Sequence, residues 1–299
     1  MELIEYLHNS PLAFVIVCGI LGLAVGSFLN VVILRLPVMM ERQWHSQCRE
    51  FLEINDAKTA KQVPQTAAGQ ERFDLVYPSS HCPKCGHKIT AVENIPVISY
   101  LLLKGKCSGC GVRIPFRYPL IEGVTGLLSV TVAWHFGFGW ETGAALVLTW
   151  SLICLTVIDI DHQLLPDSIT LPFLWLGLFA SLYGIFTDSA TAIMGALAGY
   201  LSLWSVYKLF KWTTGKEGMG YGDFKLLAML GAWMGWKMVL PVILLSSLVG
   251  AVVGITMIVL RGRDKNIPIP FGPYLATAGW ICLLWGKDIV RLYMDWMAI

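Results

Sequence analysis

The stretch "ETGAALVLTWSLICLTVID", residues 141–159, decides the fold of this chain. It is apolar over about 20 residues and carries an acidic residue only at each end, as expected for a helix that spans a membrane. Seven other runs share this character and lie at about 11–36, 119–138, 166–187, 189–213, 222–236, 238–260 and 270–293. The sequence therefore predicts an all-α polytopic membrane protein with about eight transmembrane helices.

The composition agrees with that interpretation. Of the 299 residues, 56% are hydrophobic and only 14% are charged, and the mean hydropathy is +0.63. Globular domains carry about 25% charged residues, so this excess of apolar side chains cannot be buried in one water-soluble core. The first run has no basic segment before it, and "EYLHNSPLAF" at 5–14 is acidic if anything. We expect this run to be a transmembrane helix and not a cleavable signal peptide.

The distribution of Lys and Arg predicts the orientation in the membrane. Twelve of the 22 basic residues lie between Arg35 and Arg117, and further clusters follow the fifth and seventh runs. The loops after the second and fourth runs contain no Lys or Arg. Because short cytoplasmic loops are enriched in positive charge, the loops after runs one, three, five and seven are expected in the cytoplasm. Lys287 and Arg291 near the C-terminus run against this rule.

The polar region between the first two runs predicts a division into three parts. These are a first transmembrane segment at 1–37, a cytoplasmic domain at 38–118 and a second membrane-embedded part at 119–299. Within the cytoplasmic domain, the connector at about 42–75 includes "INDAKTAKQVPQTAAGQERF", which is rich in Ala, Gln and Lys and lacks clear periodicity. We predict that the connector is flexible or weakly helical, and that the Cys-rich part at about 79–118 is compact.

The compact part carries the spacing C-x2-C-x21-C-x2-C, formed by Cys82, Cys85, Cys107 and Cys110. Two such pairs place four thiolates at the corners of a tetrahedron, which is typical of a structural zinc site in a zinc-ribbon-like module. The alternatives are two disulfides or four unrelated thiols, and a cytoplasmic location argues against disulfides. His81 and His87 are close enough to compete as ligands, but ordinary surface roles are the favoured explanation for both.

Acidic residues cluster at the ends of two apolar runs. Asp159, Asp161 and Asp167 lie in "VIDIDHQLLPD" at 157–167, and Asp223 lies in "GMGYGDFKLL" at 218–227. Asp159 ends the third run and Asp223 begins the sixth, so the predicted topology brings both to the same membrane face. Two carboxylates held close together share a proton, and one can activate water while the other donates a proton to a peptide. Taken singly, each acid has a simpler explanation. Asp223 would stabilise the N-terminus of a helix, and Asp159 would be an acid at the lipid interface at the end of a helix.

Two other classes of function remain open from these features. A proton-coupled transporter also uses paired membrane carboxylates, although these lie at helix ends and not midway through broken helices of two matched halves. A zinc-organised assembly factor would need no chemistry from the carboxylates.

Longer motifs connect the chain to a known family. They are "GSFLNVVILRLP" at 26–37, "YPSSHCPKCG" at 77–86, "ENIPVISYLLLKGKCSGCG" at 93–111, "RYPLIEG" at 117–123, "IDIDHQLLPDSITLPFLWLGL" at 158–178, "GMGYGDFKLLAMLGAWMGW" at 218–236 and "PFGPYLA" at 270–276. With these motifs the chain resembles the bacterial type IV prepilin leader peptidases, the bifunctional enzymes of type IV pili and type II secretion. The resemblance covers nearly the whole length.

The resemblance implies a two-Asp peptidase of the G-x-G-D type in the bacterial inner membrane. Such an enzyme cleaves the basic leader of prepilins or pseudopilins after a Gly at the cytoplasmic face, and then methylates the new N-terminal residue with S-adenosylmethionine. It implies that Asp159 and Asp223 are catalytic, that the four Cys bind the metal, and that 119–299 is the peptidase domain. No nucleic-acid partner is expected. No glycine-rich loop after a strand is present, so the methyl-donor site is not assigned to residues.

Overall fold

The computed structural model of the protein describes residues 2–51, 73–261 and 270–297. These ranges contain ten helices: α1 (Glu2–Asn9), α2 (Pro11–Phe51), α3 (Ile98–Leu102), α4 (Arg117–Phe136), α5 (Trp140–His162), α6 (Asp167–Leu182), α7 (Ser189–Thr214), α8 (Tyr221–Met234), α9 (Trp236–Arg261) and α10 (Gly272–Met297). The only β-structure in the described ranges consists of two isolated bridges, His81 with Lys88 and Lys106 with Arg113. The fold is therefore helical, as the sequence predicts.

Each of the eight predicted apolar runs coincides with one helix, but some helix ends differ from the prediction. The first run was predicted to end at residue 36, whereas α2 continues through Pro37 to Phe51. Residues 38–51 include Met, Glu, Arg and Gln, which have high helix propensity. The α2 helix therefore continues beyond its apolar part. The predicted connector at 42–75 is thus helical up to Phe51, and its part at 52–72 lies outside the described residues. α6 ends at Leu182, short of the predicted 187, and Gly184 follows with a left-handed φ of 64°.

The protein is a polytopic helical membrane protein. Among the described residues, four helical segments are long and apolar enough to cross a membrane: Pro11–Phe51, Trp140–His162, Ser189–Thr214 and Trp236–Met257. Asp167–Leu182 is a shorter apolar helix. That the remaining helices also cross the membrane, which would give eight spans, stays a prediction.

The chain divides into two compact units. One unit comprises Met1–Cys18 with Leu128–Ile299, and the other comprises Gly19–Leu127. In the first unit, α8 is the central helix and packs against α6, α7, α9 and α10. Ten residues of α8 are buried, including Phe224 and Trp233. This burial explains why α8 is apolar all round after Lys225.

Small residues let α7 approach α8 closely. A Cβ added to Gly195 would lie 2.2 Å from the carbonyl oxygen of Gly231, and one added to Gly199 would lie 2.5 Å from that of Leu227. Any larger residue at these two positions would push the helices apart, and such small-residue contacts are common between membrane helices. The Trp233 indole N–H donates to the Phe173 carbonyl of α6 at 2.8 Å. The second half of α8 is therefore held by both α7 and α6.

The second unit contains the greater part of α2, the Cys-rich segment, α3 and the first half of α4. Side chains of α2 bond to the Cys-rich segment and to α4 within this unit. Ser27 donates to the Asn94 side chain at 3.3 Å, and Asn30 donates to the Tyr118 carbonyl at 3.2 Å. Gly26 lies against the α4 backbone, where an added Cβ would be 2.8 Å from Glu122 Cα.

Candidate active site and metal centre

Asp159 lies in the last turn of α5 and is only 5% exposed. The helix ends shortly after it because Gln163 adopts a left-handed conformation with φ 52°, and the Gln163 N–H donates to the Asp159 carbonyl at 2.9 Å. This C-cap exposes the following residues while the Asp159 side chain stays inside the unit. Asp161 is exposed in the same turn.

Asp223 lies in the first turn of α8 and is 7% exposed. Gly220 precedes the helix in an extended conformation, and its carbonyl accepts the Asp223 N–H at 3.3 Å. Gly222 is needed for close packing, because a Cβ there would lie 2.8 Å from the Leu165 Cβ. Gly220 before α8 and Gly222 in its first turn thus bring Asp223 into a buried position beside the loop that follows α5.

The two acids share Leu165 as a neighbour, because Leu165 packs against Gly222, next to Asp223, and against Gly272, which bonds to Asp159. α10 contributes a third group, since the backbone N–H of Gly272 donates to Asp159 Oδ2 at 3.1 Å. The site also leaves no space for a side chain at Gly272, where an added Cβ would be 2.6 Å from that oxygen. The ends of three helices therefore converge on one pair of buried acids.

A salt bridge lies at the edge of this region. The Lys225 ammonium is 2.7 Å from each carboxylate oxygen of Asp167, which begins α6. The cationic partner of Asp167 is thus two residues after Asp223 in the chain. The bridge connects the start of α6 to the first turn of α8, and this constrains the helix end that carries Asp223.

This arrangement suits general acid–base chemistry. Two carboxylates that share one proton can take a proton from water and deliver one to a leaving group in the same step. The surrounding apolar side chains limit the access of bulk water, which strengthens each electrostatic interaction inside the site. The geometry is thus compatible with hydrolysis of a peptide bond.

The Cys-rich segment consists of two similar turns that repeat after 25 residues. In the first turn Cys82 N–H bonds to the His87 carbonyl and Gly86 N–H bonds to the Cys82 carbonyl, both at 2.9 Å. In the second turn the Cys107 N–H bonds to Val112 and the Gly111 N–H bonds to Cys107, again at 2.9 Å. Gly86 and Gly111 have left-handed φ values of 73° and 69°, which only glycine adopts at low cost. The sequence analysis did not identify this repeat.

The four Cys side chains form one cluster that could hold a metal ion. All four sulfurs lie within 4.8 Å of one another, with Cys82 to Cys110 at 3.8 Å and Cys85 to Cys107 at 4.0 Å. Four sulfurs around zinc at the usual Zn–S distance of about 2.3 Å would be separated by about 3.8 Å. The donor set and its spacing therefore fit zinc, and four thiolates leave no open position for a catalytic water.

Glu93 connects the two Cys turns. Its carboxylate accepts from the Ser108 hydroxyl in the second turn and lies 3.1 Å from His87 Nε2 in the first. The Ser108 hydroxyl, with the backbone and hydroxyl of Thr90, lowers the pKa of Glu93 to about 2. Glu93 is thus a carboxylate at neutral pH. His87 faces this carboxylate and is outside the four-sulfur cluster, and His81 lies beside the Ser79 carbonyl.

The structure thus brings Asp159 and Asp223 together in one unit and the four Cys together in the other. The sequence analysis missed Gly272, Glu93 and the buried Glu122. Each lies in a motif that was quoted above, namely "PFGPYLA", "ENIPVISY" and "RYPLIEG". A glycine between Phe and Pro at a helix start was the available signal for Gly272, but its partner lies 113 residues away.

Comparisons with known proteins agree with this arrangement. The profile of the Bacterial Peptidase A24 N-terminal domain matches residues 20–136, and that of the Type IV leader peptidase family matches residues 146–255. The chain is 57% identical to a Stutzerimonas stutzeri protein named prepilin leader peptidase/N-methyltransferase, over 99% of both chains. Relatives of the same name from Pseudomonas aeruginosa and Aeromonas salmonicida are 57% and 53% identical, over at least 98% of each chain. No solved structure matches the chain.

Proposed function

The chain belongs to the type IV leader peptidase family, and we propose that Asp159 and Asp223 are the two catalytic carboxylates of its peptidase. The protein is an enzyme that removes the leader of prepilins and N-methylates the product. The observation that carries the assignment is that two buried carboxylates, at the ends of α5 and α8, share Leu165 as a neighbour. Asp161 is exposed on the same turn, and we assign it no role in the pair.

The hydrolysis needs one ionised and one protonated carboxylate. The ionised member removes a proton from water as the water oxygen attacks the scissile carbonyl carbon. The protonated member donates to the carbonyl oxygen and the proton then passes to the leaving amine as the C–N bond breaks. The products are the leader with a new carboxylate and the pilin with a free N-terminus. Because the pair titrates as a unit, the acid and base roles belong to the dyad.

The substrate would be a prepilin or a type II secretion pseudopilin, cut after a Gly at the cytoplasmic face of the bacterial inner membrane. The asymmetry of Lys and Arg supports this orientation, because the basic loops follow the first, third, fifth and seventh apolar runs. An apolar pilin helix would lie in the membrane with its basic leader at the surface. The acids lie at helix ends that face the cytoplasm in the predicted topology, where such a junction would meet them.

The four Cys would hold one zinc ion that organises the cytoplasmic module. Zinc there supplies folding energy and no reactive water, because all four positions are taken by sulfur. Each turn is closed by backbone hydrogen bonds, from the Gly86 N–H to the Cys82 carbonyl and from the Gly111 N–H to the Cys107 carbonyl, which supports a preformed site.

The second reaction would use S-adenosylmethionine as donor. The lone pair of the new terminal amine forms a bond to the donor methyl group, the methyl–sulfur bond breaks, and its electron pair stays on sulfur. The amine proton is released to solvent, and S-adenosylhomocysteine is the second product. This step needs a free amine, so it follows cleavage.

The test is to incubate the purified protein with a synthetic prepilin segment that contains a basic leader, Gly, Phe and an apolar stretch. With S-adenosylmethionine present, mass spectrometry should show the segment cut after the Gly and the Phe product heavier by one methyl group. A control segment with a bulky residue in place of the Gly should remain uncut. A transporter or an assembly factor would leave both segments intact, and that result from folded, metal-loaded protein would refute the proposal.

A further inference from the structure

One leucine in the loop between α5 and α6 lies beside both acids. Leu165 is 8% exposed, and its Cβ is 2.8 Å from the position of a Cβ added at Gly222, the residue before Asp223. Its Cδ1 is 3.2 Å from that of a Cβ added at Gly272, whose N–H donates to Asp159 Oδ2 at 3.1 Å. The Leu165 side chain therefore fills the space between the starts of α8 and α10, where the two acids lie.

The packing around this leucine leaves no room for one more methyl group. At Gly222 an added Cβ would require Leu165 itself to move, and at Gly272 it would be 2.6 Å from Asp159 Oδ2. Protein interiors are packed as densely as organic crystals, so an extra carbon beside the acids must displace a neighbour. A substrate side chain placed in the same space would meet the same limit.

The loop that carries Leu165 is held at both ends. The C-cap of α5, Gln163, has a left-handed φ of 52°, and Pro166, with a φ of −62° that its ring restricts, precedes α6. Asp167 begins α6, and its carboxylate lies 2.7 Å from the Lys225 ammonium of α8. The salt bridge thus ties the loop to α8 two residues after Leu165. A wall that selects by size must resist displacement, and these constraints supply that resistance.

Cleavage places a peptide bond next to this wall. The scissile carbonyl must lie within hydrogen-bonding reach of the dyad, because one carboxylate activates the water and the other protonates the carbonyl oxygen. The residues that flank the bond then lie against the side chains around the acids. In the proposed cleavage they are a Gly before the bond and a Phe after it. Only the Gly lacks a side chain, so the crowded side at Leu165 suits the Gly.

We propose that Leu165 is a specificity-determining residue, which fills the space that a side chain on the residue before the cut bond would occupy. The inference rests on the proposed function and deepens it, because it assigns the requirement for Gly to one wall of the site. The substrates that follow are peptides with no side chain, or only the smallest one, directly before the cut bond. Shortening Leu165 should therefore admit larger residues at that position.

The experiment measures kcat/KM for full-length purified protein on synthetic prepilin segments that differ only in the residue before the bond, which is Gly, Ala or Val. One surplus carbon in a packed pocket costs about 10–200-fold in kcat/KM. Wild-type protein should therefore cut the Ala segment about tenfold less efficiently than the Gly segment, and the Val segment about a hundredfold less or worse. Leu165→Ala should raise the Ala/Gly and Val/Gly ratios by about tenfold or more.

Two further variants control for stability and for position. Leu165→Ala opens a cavity that can destabilise the protein, but each ratio compares segments cut by one preparation and is independent of its folded fraction. Leu165→Val removes less of the side chain and should raise the Ala/Gly ratio in the same direction by a smaller factor. Leu164→Ala changes the neighbouring, half-buried leucine of the loop and should keep the wild-type ratios.

The outcomes separate this inference from the proposed function. The assignment of Leu165 is wrong if its two variants cut the Gly segment but keep both ratios within about twofold of wild type. It is also wrong if wild-type protein cuts all three segments equally well, or if both variants lose all cleavage at the wild-type melting temperature. In each of these cases wild-type cleavage of the Gly segment leaves the proposed function intact.

A fourth segment, with Ala in place of the Phe, distinguishes the two sides of the bond. Leu165→Ala should cut this segment and the Gly segment in the same ratio as wild type does. A change confined to this ratio would place Leu165 against the Phe and overturn the assignment. If wild-type protein cuts none of the four segments, the proposed function fails, and the inference fails with it.

Discussion

Replacement of Gly272 with alanine should slow prepilin cleavage by reducing kcat. The Gly272 N–H bonds to Asp159 Oδ2 at 3.1 Å, and a Cβ at this position would lie 2.6 Å from the same oxygen. An ordinary contact begins at 3.4 Å, so the carboxylate must withdraw by most of an ångström. The Leu165 Cδ1, 3.2 Å from the added methyl group, restricts movement of the methyl in the other direction.

The displacement gives an approximate size for the effect. Misplacement of a catalytic group by about 1 Å can reduce the rate about a hundredfold. We therefore expect Gly272→Ala to lower kcat by about tenfold to a hundredfold, which is about 1.4–2.7 kcal/mol in activation free energy. KM should change little, because the added methyl group displaces the Asp159 carboxylate and does not remove a group that binds the substrate.

The assay compares steady-state cleavage of the synthetic prepilin segment by three purified proteins: wild type, Gly272→Ala and Gly143→Ala. The last is a matched control on α5, since a Cβ at Gly143 meets nothing within 4 Å. The melting temperature of each protein shows whether a lost rate comes from a displaced carboxylate or from a destabilised fold. If Gly272→Ala cleaves within about twofold of wild type, the Gly272 contact does not position Asp159 and the reasoning fails.

The remaining predictions concern the module and the neighbouring acid. Metal analysis of protein purified without added zinc should give about one zinc per chain; less than about half an equivalent, with disulfides found by mass spectrometry, would contradict the metal site. The Cys107→Ser/Cys110→Ser protein should lose methylation more severely than cleavage, because the zinc stabilises its own module. Asp223→Asn should do the reverse and still methylate a pre-cleaved pilin peptide; equal loss of both activities in a helical, monodisperse Cys variant would argue against this division. Asp161→Asn should keep its cleavage rate within about threefold, and a much larger loss would include Asp161 in the catalytic group.

The helices could be predicted because their signals are local. Every apolar run coincides with a helix, since the excess of apolar residues is continuous within each run. The end of α2 was missed because residues 38–51 are polar yet good helix formers, so polarity alone does not end a helix. The pairing of Asp159 with Asp223 followed from two helix ends at one predicted membrane face.

Contacts between distant segments could not be predicted in the same way. The Gly272 bond to Asp159 uses a backbone N–H, which every residue except proline has, so the residue type gave no indication of a partner. The Glu93 carboxylate meets Ser108 and His87 only after both Cys turns have folded. Glu122 stands in an apolar helix, and only the structure shows that it bonds to the Val97 N–H.

The central claim is that Asp159 and Asp223 form one catalytic pair. The most direct test is to measure the cleavage rate of Asp159→Asn and Asp223→Asn on the synthetic prepilin segment. Asn keeps the shape of the side chain but cannot exchange the proton, so each variant should lose cleavage by about a thousandfold or more. Unchanged helicity, metal content and melting temperature would show that both variants are folded. If either variant cleaves at a rate near that of wild type, the two carboxylates do not act as a catalytic pair.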